Sequence, residues 1–279
     1  MKTITADKIT QTVKNMCIEA NCNLPEDIRC ALEGAKRCES FPPAREMLST
    51  ITENADIAKK NCIPVCQDTG FAVFFVEIGS KVQITGNISK AIEEGVSLGY
   101  TEGYLRASVV SDPLIRKNTG DNTPPVIHYS FNDSDNVTIT FAPKGFGSEN
   151  MSAVKMLTPS DGREGVIDFV LDTVRRAGSN PCPPIVVGVG IGGTMEMAAI
   201  LSKKALTKNI DGQNENPFYA EMEEELLAKI NALGIGVQGF SGDTTALGVN
   251  ILTYPTHIAG LPVAVNISCH VTRHMTVVL

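Results

Sequence analysis

The sequence predicts an α/β fold in which mixed β-sheets are flanked by helices, with a helical N-terminal segment over about residues 1–60. Three observations carry this. Ile9, Val13, Met16, Cys17 and Ala20 fall at helical spacing near the N-terminus. Apolar runs at Phe71–Val76 and Ile185–Val189 are bounded by turn residues, and runs of about 4–8 such residues read as buried strands. Helical and strand patterns then alternate to the C-terminus with no repeat, low-complexity tract or long linker. A chain of 279 residues, 43% hydrophobic, is ample for a sizeable core in one large domain or two small ones. The missing break favours one domain over residues 1–279.

Each element has its local reason. Pro25 suits the first turn of a second helix, with Glu26 and Asp27 at its positive N-terminal end and Ala31, Leu32 and Ala35 continuing it. Pro42-Pro43 end it, and a third helix is predicted over 44–60. After the Phe71 strand come a short strand at Val82–Ile84 and a helix from Ile88 to Leu98. Val126–Tyr129 and Val137–Phe141 read as two strands joined as a hairpin through Asn132-Asp133-Ser134-Asp135, a run of turn formers. Lys144–Asn150 reads as a polar, glycine-containing loop. Gly165–Ala177 is an amphipathic helix with Val166, Phe169, Val170 and Val174 on its apolar face. Helices over 194–204 and 217–233 follow, and strands at Ala246–Leu252 and Val263–Ile267 close the pattern.

Composition excludes several classes of function. The net charge is −7 and the chain has no basic block, which excludes a nucleic-acid binder. An anionic substrate would therefore need a local cluster of arginines. The N-terminal MKTITADKITQTVK has no apolar core of a signal peptide, and there is no run of about 18 apolar residues for a membrane span. Eight cysteines without a secretory signal indicate reduced thiols in a cytoplasmic protein.

The chemistry-bearing residues gather in a few stretches. Cys66-Gln67-Asp68-Thr69-Gly70 puts a thiol, an amide, a carboxylate and a hydroxyl on a turn before a strand. Cys182 stands between prolines before the Ile185 strand, and Cys269 adjoins His270. Three separated cysteines at strand boundaries point to a metal or cluster site assembled by the whole fold, and zinc-finger spacing is absent. Cys17, Cys22, Cys30 and Cys38 fall in helical stretches and read as small buried hydrophobes; Cys62, four residues before Cys66, is a weaker ligand candidate. Gly188-Val-Gly190-Ile-Gly-Gly193 matches G-x-G-x-x-G after a strand, with Asp211 about 20 residues on. The segment before Asp211 is polar, however, and the plainer reading of the glycines is a close helix–strand packing turn. Arg106, with Arg116 and Lys117 nearby, offers a guanidinium fork suited to carboxylates. His257 follows Tyr254-Pro-Thr256 on a predicted loop. His270, His274 and Arg273 cluster with Cys269, and His128 lies in a strand.

Cys66-Gln-Asp-Thr-Gly70, Arg106-Ala-Ser-Val-Val110, Gly147-Ser-Glu-Asn150, Asn180-Pro-Cys182-Pro-Pro184 with Gly188–Gly193, and Ser268-Cys269-His270 occur in this order. The set resembles the α subunit, or N-terminal domain, of the iron–sulfur (class I) fumarate hydratases and tartrate dehydratases, from about residue 5 to the end. The resemblance implies a [4Fe–4S] cluster held by Cys66, Cys182 and Cys269, with one open iron site. It implies that Gln67 and Asp68 face substrate or the hydroxyl being moved, that Arg106 grips a substrate carboxylate, and that Gly147 lines the same pocket. Asp68 and His257 are its catalytic candidates. It also implies a β subunit that completes the active site around a C4-dicarboxylate. One departure is His270, where the family often has Trp after the third cysteine. The Arg106–Val110 and Gly147–Asn150 segments favour fumarate hydratase, interconverting fumarate and (S)-malate, over L-tartrate dehydratase or a related C4-diacid hydratase. Two readings of another kind stand beside it: a dinucleotide-dependent oxidoreductase built on Gly188–Gly193, and a subunit that only stabilises its partner.

Overall fold

A computed structural model describes residues 2–279. In chain order the elements are β1 (Lys2–Thr5), α1 (Ala6–Cys22), α2 (Glu26–Cys38), α3 (Pro42–Asn61), β2 (Phe71–Gly79), β3 (Val82–Thr85), α4 (Ile88–Glu102), β4 (Val126–Asn132) and β5 (Val137–Lys144). They continue with α5 (Phe146–Glu149), β6 (Ala153–Leu157), α6 (Gly162–Ala177), β7 (Ile185–Gly192), α7 (Met195–Ala205), α8 (Pro217–Asn231), β8 (Ala246–Tyr254), β9 (Leu261–Ser268) and β10 (Met275–Val278). The α/β class with mixed sheets, flanking helices and a helical N-terminal segment is as the sequence predicts. β6 and β10 carry no strand signal that sequence reading found. Among the described residues no helix is long and apolar enough to cross a membrane.

Contacts divide the chain into two compact units. The first comprises the residues up to Leu24, Ala55–Phe146 and Arg273–Leu279; the second comprises Pro25–Asn54 and Gly147–Thr272. Because each unit is made of separated segments, no composition change marks a boundary in the sequence.

The first unit holds a four-stranded mixed sheet in the order β10-β5-β2-β4 and a parallel β1-β3 pair. Thr5 caps α1 by accepting the Lys8 N–H at 3.2 Å. The helical-pattern residues Ile9, Val13, Met16, Cys17 and Ala20 are all buried. They join Val96 and Tyr100 of α4 and Phe74, Ile139 and Phe141 of the sheet in one core. Phe74 and Phe141 stack with centroids 4.9 Å apart.

The expected hairpin between β4 and β5 does not form. β4 runs parallel to β2, β5 runs antiparallel to it, and β2 lies between them. The cause is in β2 itself. Ala72, Val73, Phe74, Phe75 and Val76 are all buried, and a strand so enclosed must be paired on both edges. β4, mostly exposed along its length, takes the edge. The Asn132–Asn136 turn instead caps the end of β2: the Gly79 N–H donates to Asn136 O at 2.9 Å and the Ser80 N–H to Asn132 O at 2.8 Å.

The second unit holds a four-stranded sheet in the order β6-β9-β7-β8. β7 is central, parallel to β8 and antiparallel to β9, and buried throughout. Its odd-numbered residues Ile185, Val187, Val189 and Ile191 face a core with Val166, Phe169 and Val170 of α6 and Met222, Leu226 and Ile230 of α8. Its opposite face carries Gly188 and Gly190, where α7 lies against the strand. A Cβ at Gly188 would fall 2.1 Å from Ser202 O, and one at Gly190 would fall 2.1 Å from Ala198 O. The glycine motif is thereby absorbed by helix–strand packing, and Asp211 sits in a turn rather than at a strand end.

Candidate active site

In the first unit the site is the turn between α3 and β2. Its side chains point two ways. Gln67 is exposed, Cys66 and Asp68 are half-buried, and Thr69 and Gly70 are buried. Gly70 has φ +81, and a Cβ there would meet the Pro143 backbone at 2.6 Å, so only glycine fits. Both Asp68 carboxylate oxygens accept backbone donors: the Gly70 N–H at 3.0 Å and the Phe146 N–H at 2.9 Å.

Buried donors hold the turn from beneath, carbonyl by carbonyl. An Arg273 Nη2–H donates to Asp68 O at 3.0 Å. Tyr100 Oη stands 2.8 Å from Thr69 O and 2.9 Å from Gly70 O, sharing one proton between them. Asn122 Nδ2 donates to Gly70 O at 3.1 Å, while its Oδ1 accepts the Ser108 N–H at 2.8 Å. Thr69 Oγ1 donates to Arg106 O at 3.1 Å, which brings the exposed Arg106 beside the turn. Burial pushes the Tyr100 phenol well above its ordinary range, so it serves as a neutral donor.

These clamps give a direct expectation. Tyr100→Phe leaves two carbonyls without that donor in a buried place and should destabilise the chain by about 1–3 kcal/mol. Denaturant unfolding measures it; an unchanged midpoint would show that the hydroxyl does not hold the turn.

In the second unit Cys182 and Cys269 are drawn together through His270. The His270 N–H donates to Cys182 O at 3.3 Å, and Nδ1 lies 2.9 Å from the same carbonyl and 3.1 Å from Gln238 Nε2. Gln238 secures the neighbouring peptide, its N–H and its Nε2 both donating to Pro183 O at 2.8 Å. His270 thus fastens the second cysteine loop to the third. Cys182 has φ +54 and an exposed side chain; Cys269 is half-buried, and its carbonyl accepts the Thr272 N–H and Oγ1–H at 3.0 and 2.7 Å. Gly147 adjoins this region: a Cβ on it would lie 3.8 Å from Asn180 O.

His257 is placed differently. It is exposed, its Nδ1 accepts the Ala259 N–H at 3.2 Å, and it lines a cavity of about 360 Å³ with Arg163, Ile191, Phe218 and Met222. Gly147, Cys182 and Cys269 do not line that cavity.

All eight cysteines carry thiols rather than disulfides. Cys17 and Cys22 are buried, and burial pushes both thiols up. Cys30 and Cys38 are exposed, contrary to the expectation of small core residues, because α2 buries only Asp27, Ile28 and Leu32. The partly accessible thiols of Cys66, Cys182 and Cys269, on loops beside strands, are the donor type that iron–sulfur clusters take. Among the described residues no three His, Cys, Asp or Glu side chains are grouped so as to hold a metal ion. The donor chemistry of these thiols fits a cluster.

Sequence reading missed Tyr100 and Asn122, and it placed Arg273 only in a polar neighbourhood. All three are buried polar residues. Tyr100 sits in an ordinary helical pattern and nothing near it in the sequence signals a role; Arg273, four residues after Cys269, had that one clue.

Residues 10–278 match the family described as fumarate hydratase (Fumerase). The chain is 46% identical over 274 residues to the putative L(+)-tartrate dehydratase subunit alpha of Methanocaldococcus jannaschii, covering 95% of each chain. It is 33% identical over 276 residues to the L(+)-tartrate dehydratase subunit alpha of Escherichia coli strain K12, covering 98% of this chain and 91% of that one. The same values hold for the L(+)-tartrate dehydratase subunit alpha of Shigella sonnei. With a match running almost end to end and the ordered cysteine motifs in place, the chain belongs to the iron–sulfur fumarate hydratase and tartrate dehydratase α family, a family of hydro-lyases.

Proposed function

We propose that this chain is the α subunit of a [4Fe–4S]-dependent hydro-lyase that removes water from L(+)-tartrate. The observation that carries this is the near full-length similarity to L(+)-tartrate dehydratase α subunits from an archaeon and from enteric bacteria. Fumarate, favoured by the Arg106–Val110 and Gly147–Asn150 segments, is the second substrate reading, supported by the family description. The names of the relatives also support a β subunit that completes the site, and the cysteine usage supports a cytoplasmic setting.

Cys66, Cys182 and Cys269 hold the cluster in this reading. When bound, it supplies a Lewis-acidic iron that eases departure of the substrate hydroxyl. The remaining work falls to the protein. Arg106 grips a carboxylate of the dianion with its planar fork, and Gln67 hydrogen-bonds the same substrate. Asp68, held through both oxygens by backbone donors, orients the departing hydroxyl and takes part in its proton transfer. Gly147 leaves room for close approach of the substrate. Fixing the diacid in register removes an entropic part of the barrier. The net charge of −7 makes local arginines essential for a dianionic substrate, and the β subunit contributes further positive charge.

The test is anaerobic reconstitution of the αβ complex with iron and sulfide, followed by turnover of L(+)-tartrate and fumarate side by side. A larger kcat/KM for L(+)-tartrate is expected. A preference for fumarate would move the assignment to the second substrate, and a loaded complex that dehydrates or hydrates neither would end the hydro-lyase reading.

A further inference from the structure

Arg273 is a buried guanidinium, 5% exposed, with an unusual set of partners. One donor, Nη2–H, goes to the main-chain carbonyl of Asp68 at 3.0 Å. Nε and Nη1 are fully shielded from solvent, and neither has a hydrogen-bond partner among the described residues. Among the described residues no carboxylate forms an ion pair with Arg273, and the Asp68 carboxylate oxygens accept the Gly70 and Phe146 N–H groups instead. Cys22 and Tyr100 lie within electrostatic reach of Arg273, but burial pushes both of them up, so each stays neutral. A buried cation with idle donors and no ion-pair partner is strongly destabilising unless something compensates it. The structure therefore contains an unanswered positive charge directly under the turn that presents Cys66, Gln67 and Asp68.

We propose that Arg273 is a positioning residue of the active site. It fixes the Cys66–Gly70 turn by its bond to Asp68, and it supplies the buried positive charge that an anionic, thiolate-ligated cluster on Cys66 answers. The second half of this rests on the function proposed above; the first half does not. A cation in this place makes loading of the cluster more favourable, because the apo chain bears an uncompensated charge that the loaded chain does not. It also explains why a guanidinium occupies a position where a neutral donor would satisfy the Asp68 carbonyl. A purely structural arginine would stabilise the apo and loaded chains equally.

The experiment compares the wild-type chain with Arg273→Met and Arg273→Lys, each alone and then with its partner subunit. In the apo chain, amide exchange at Gly70, whose N–H depends on the Asp68 conformation, should rise about tenfold in Arg273→Met while the β2–β5 ladder amides stay unchanged. On anaerobic loading with iron and sulfide, the rise in thermal midpoint should be at least halved in Arg273→Met and largely kept in Arg273→Lys, which retains the charge. Wild-type exchange at Gly70 together with a wild-type midpoint gain in Arg273→Met would overturn the proposal. If the wild-type complex itself takes up no iron, the hydro-lyase reading fails, and the Gly70 exchange alone decides the role of Arg273 at the turn. Should Arg273→Met not fold, Arg273→Lys carries the same comparison, and a lysine variant with unaltered exchange and full loss of the loading gain would contradict the charge argument.

Discussion

Replacing Cys66 by Ser should remove the visible iron–sulfur absorbance of the anaerobically reconstituted complex and lower its turnover by about a thousandfold or more, equivalent to at least about 4 kcal/mol of transition-state stabilisation. The reasoning is chemical. Cluster iron takes thiolate sulfur, and a serine hydroxyl is a harder, far less acidic donor that does not replace it. The turn itself should survive, because its clamps act on the Asp68, Thr69 and Gly70 carbonyls and not on the thiol. Circular dichroism and the denaturant midpoint should therefore match wild type. Cys38→Ser is the control: that thiol is exposed at the end of α2, and its loss should change neither absorbance nor turnover. A Cys66→Ser complex that keeps its iron and its activity would remove this cysteine from the cluster.

Gly190→Ala tests the other face of the second unit. The added methyl would lie 2.1 Å from Ala198 O and 2.6 Å from Ser202 N, both backbone atoms of α7. Neither can swing away as a side-chain tip could, so the helix must shift off β7. Overpacking of this kind should destabilise the chain by about 1–3 kcal/mol, seen as a lower urea midpoint at unchanged slope. A glycine reserved for a dinucleotide phosphate would behave otherwise: stability would hold and nicotinamide-cofactor binding would disappear. Unaltered stability in Gly190→Ala would reopen the oxidoreductase reading.

The two glycines show how far a sequence speaks. G-x-G-x-x-G is legible as a tight approach of backbone to something, and period-2 alternation with Ile185, Val187, Val189 and Ile191 tells which face bears it. Whether that something is a phosphate or a helix depends on the segment near Asp211, whose polar character favoured the helix. Phe71–Val76 was legible as a buried strand, yet its neighbours were not. Adjacent strands with a good turn between them read as a hairpin, and the placement of β2 between β4 and β5 answers to the pairing needs of a third strand. Local patterns carry no such term. The Cys66, Cys182 and Cys269 contexts were readable because thiols on strand boundaries are chemically conspicuous. Tyr100, Asn122 and Arg273 were not, because a polar residue turned inward has the same letters as one turned outward. The fastening of Cys182 by His270 was hidden for a related reason: a single residue reveals its partner only when two distant loops are side by side. The substrate preference, too, is finer than the motifs. The same segments that pointed to fumarate occur in a chain whose relatives from Methanocaldococcus jannaschii and Escherichia coli bear the tartrate name.

The interleaving of the two units has a consequence in time as well as in space. The chain passes from one to the other four times, at Leu24–Pro25, Asn54–Ala55, Phe146–Gly147 and Thr272–Arg273. On a ribosome, β2, β4 and β5 emerge long before β10, the strand that pairs with β5 and closes that edge of their sheet. The whole of Gly147–Thr272 must be made in between. Until then β5 presents an open edge, the kind of surface that invites wrong pairing during synthesis. The same late segment brings Arg273, so the Cys66 turn receives its final clamp only after the codons for Cys182 and Cys269 have been read. A chain ending between residues 269 and 272 would carry Cys66, Cys182 and Cys269 and lack the Arg273 bond to the Asp68 carbonyl.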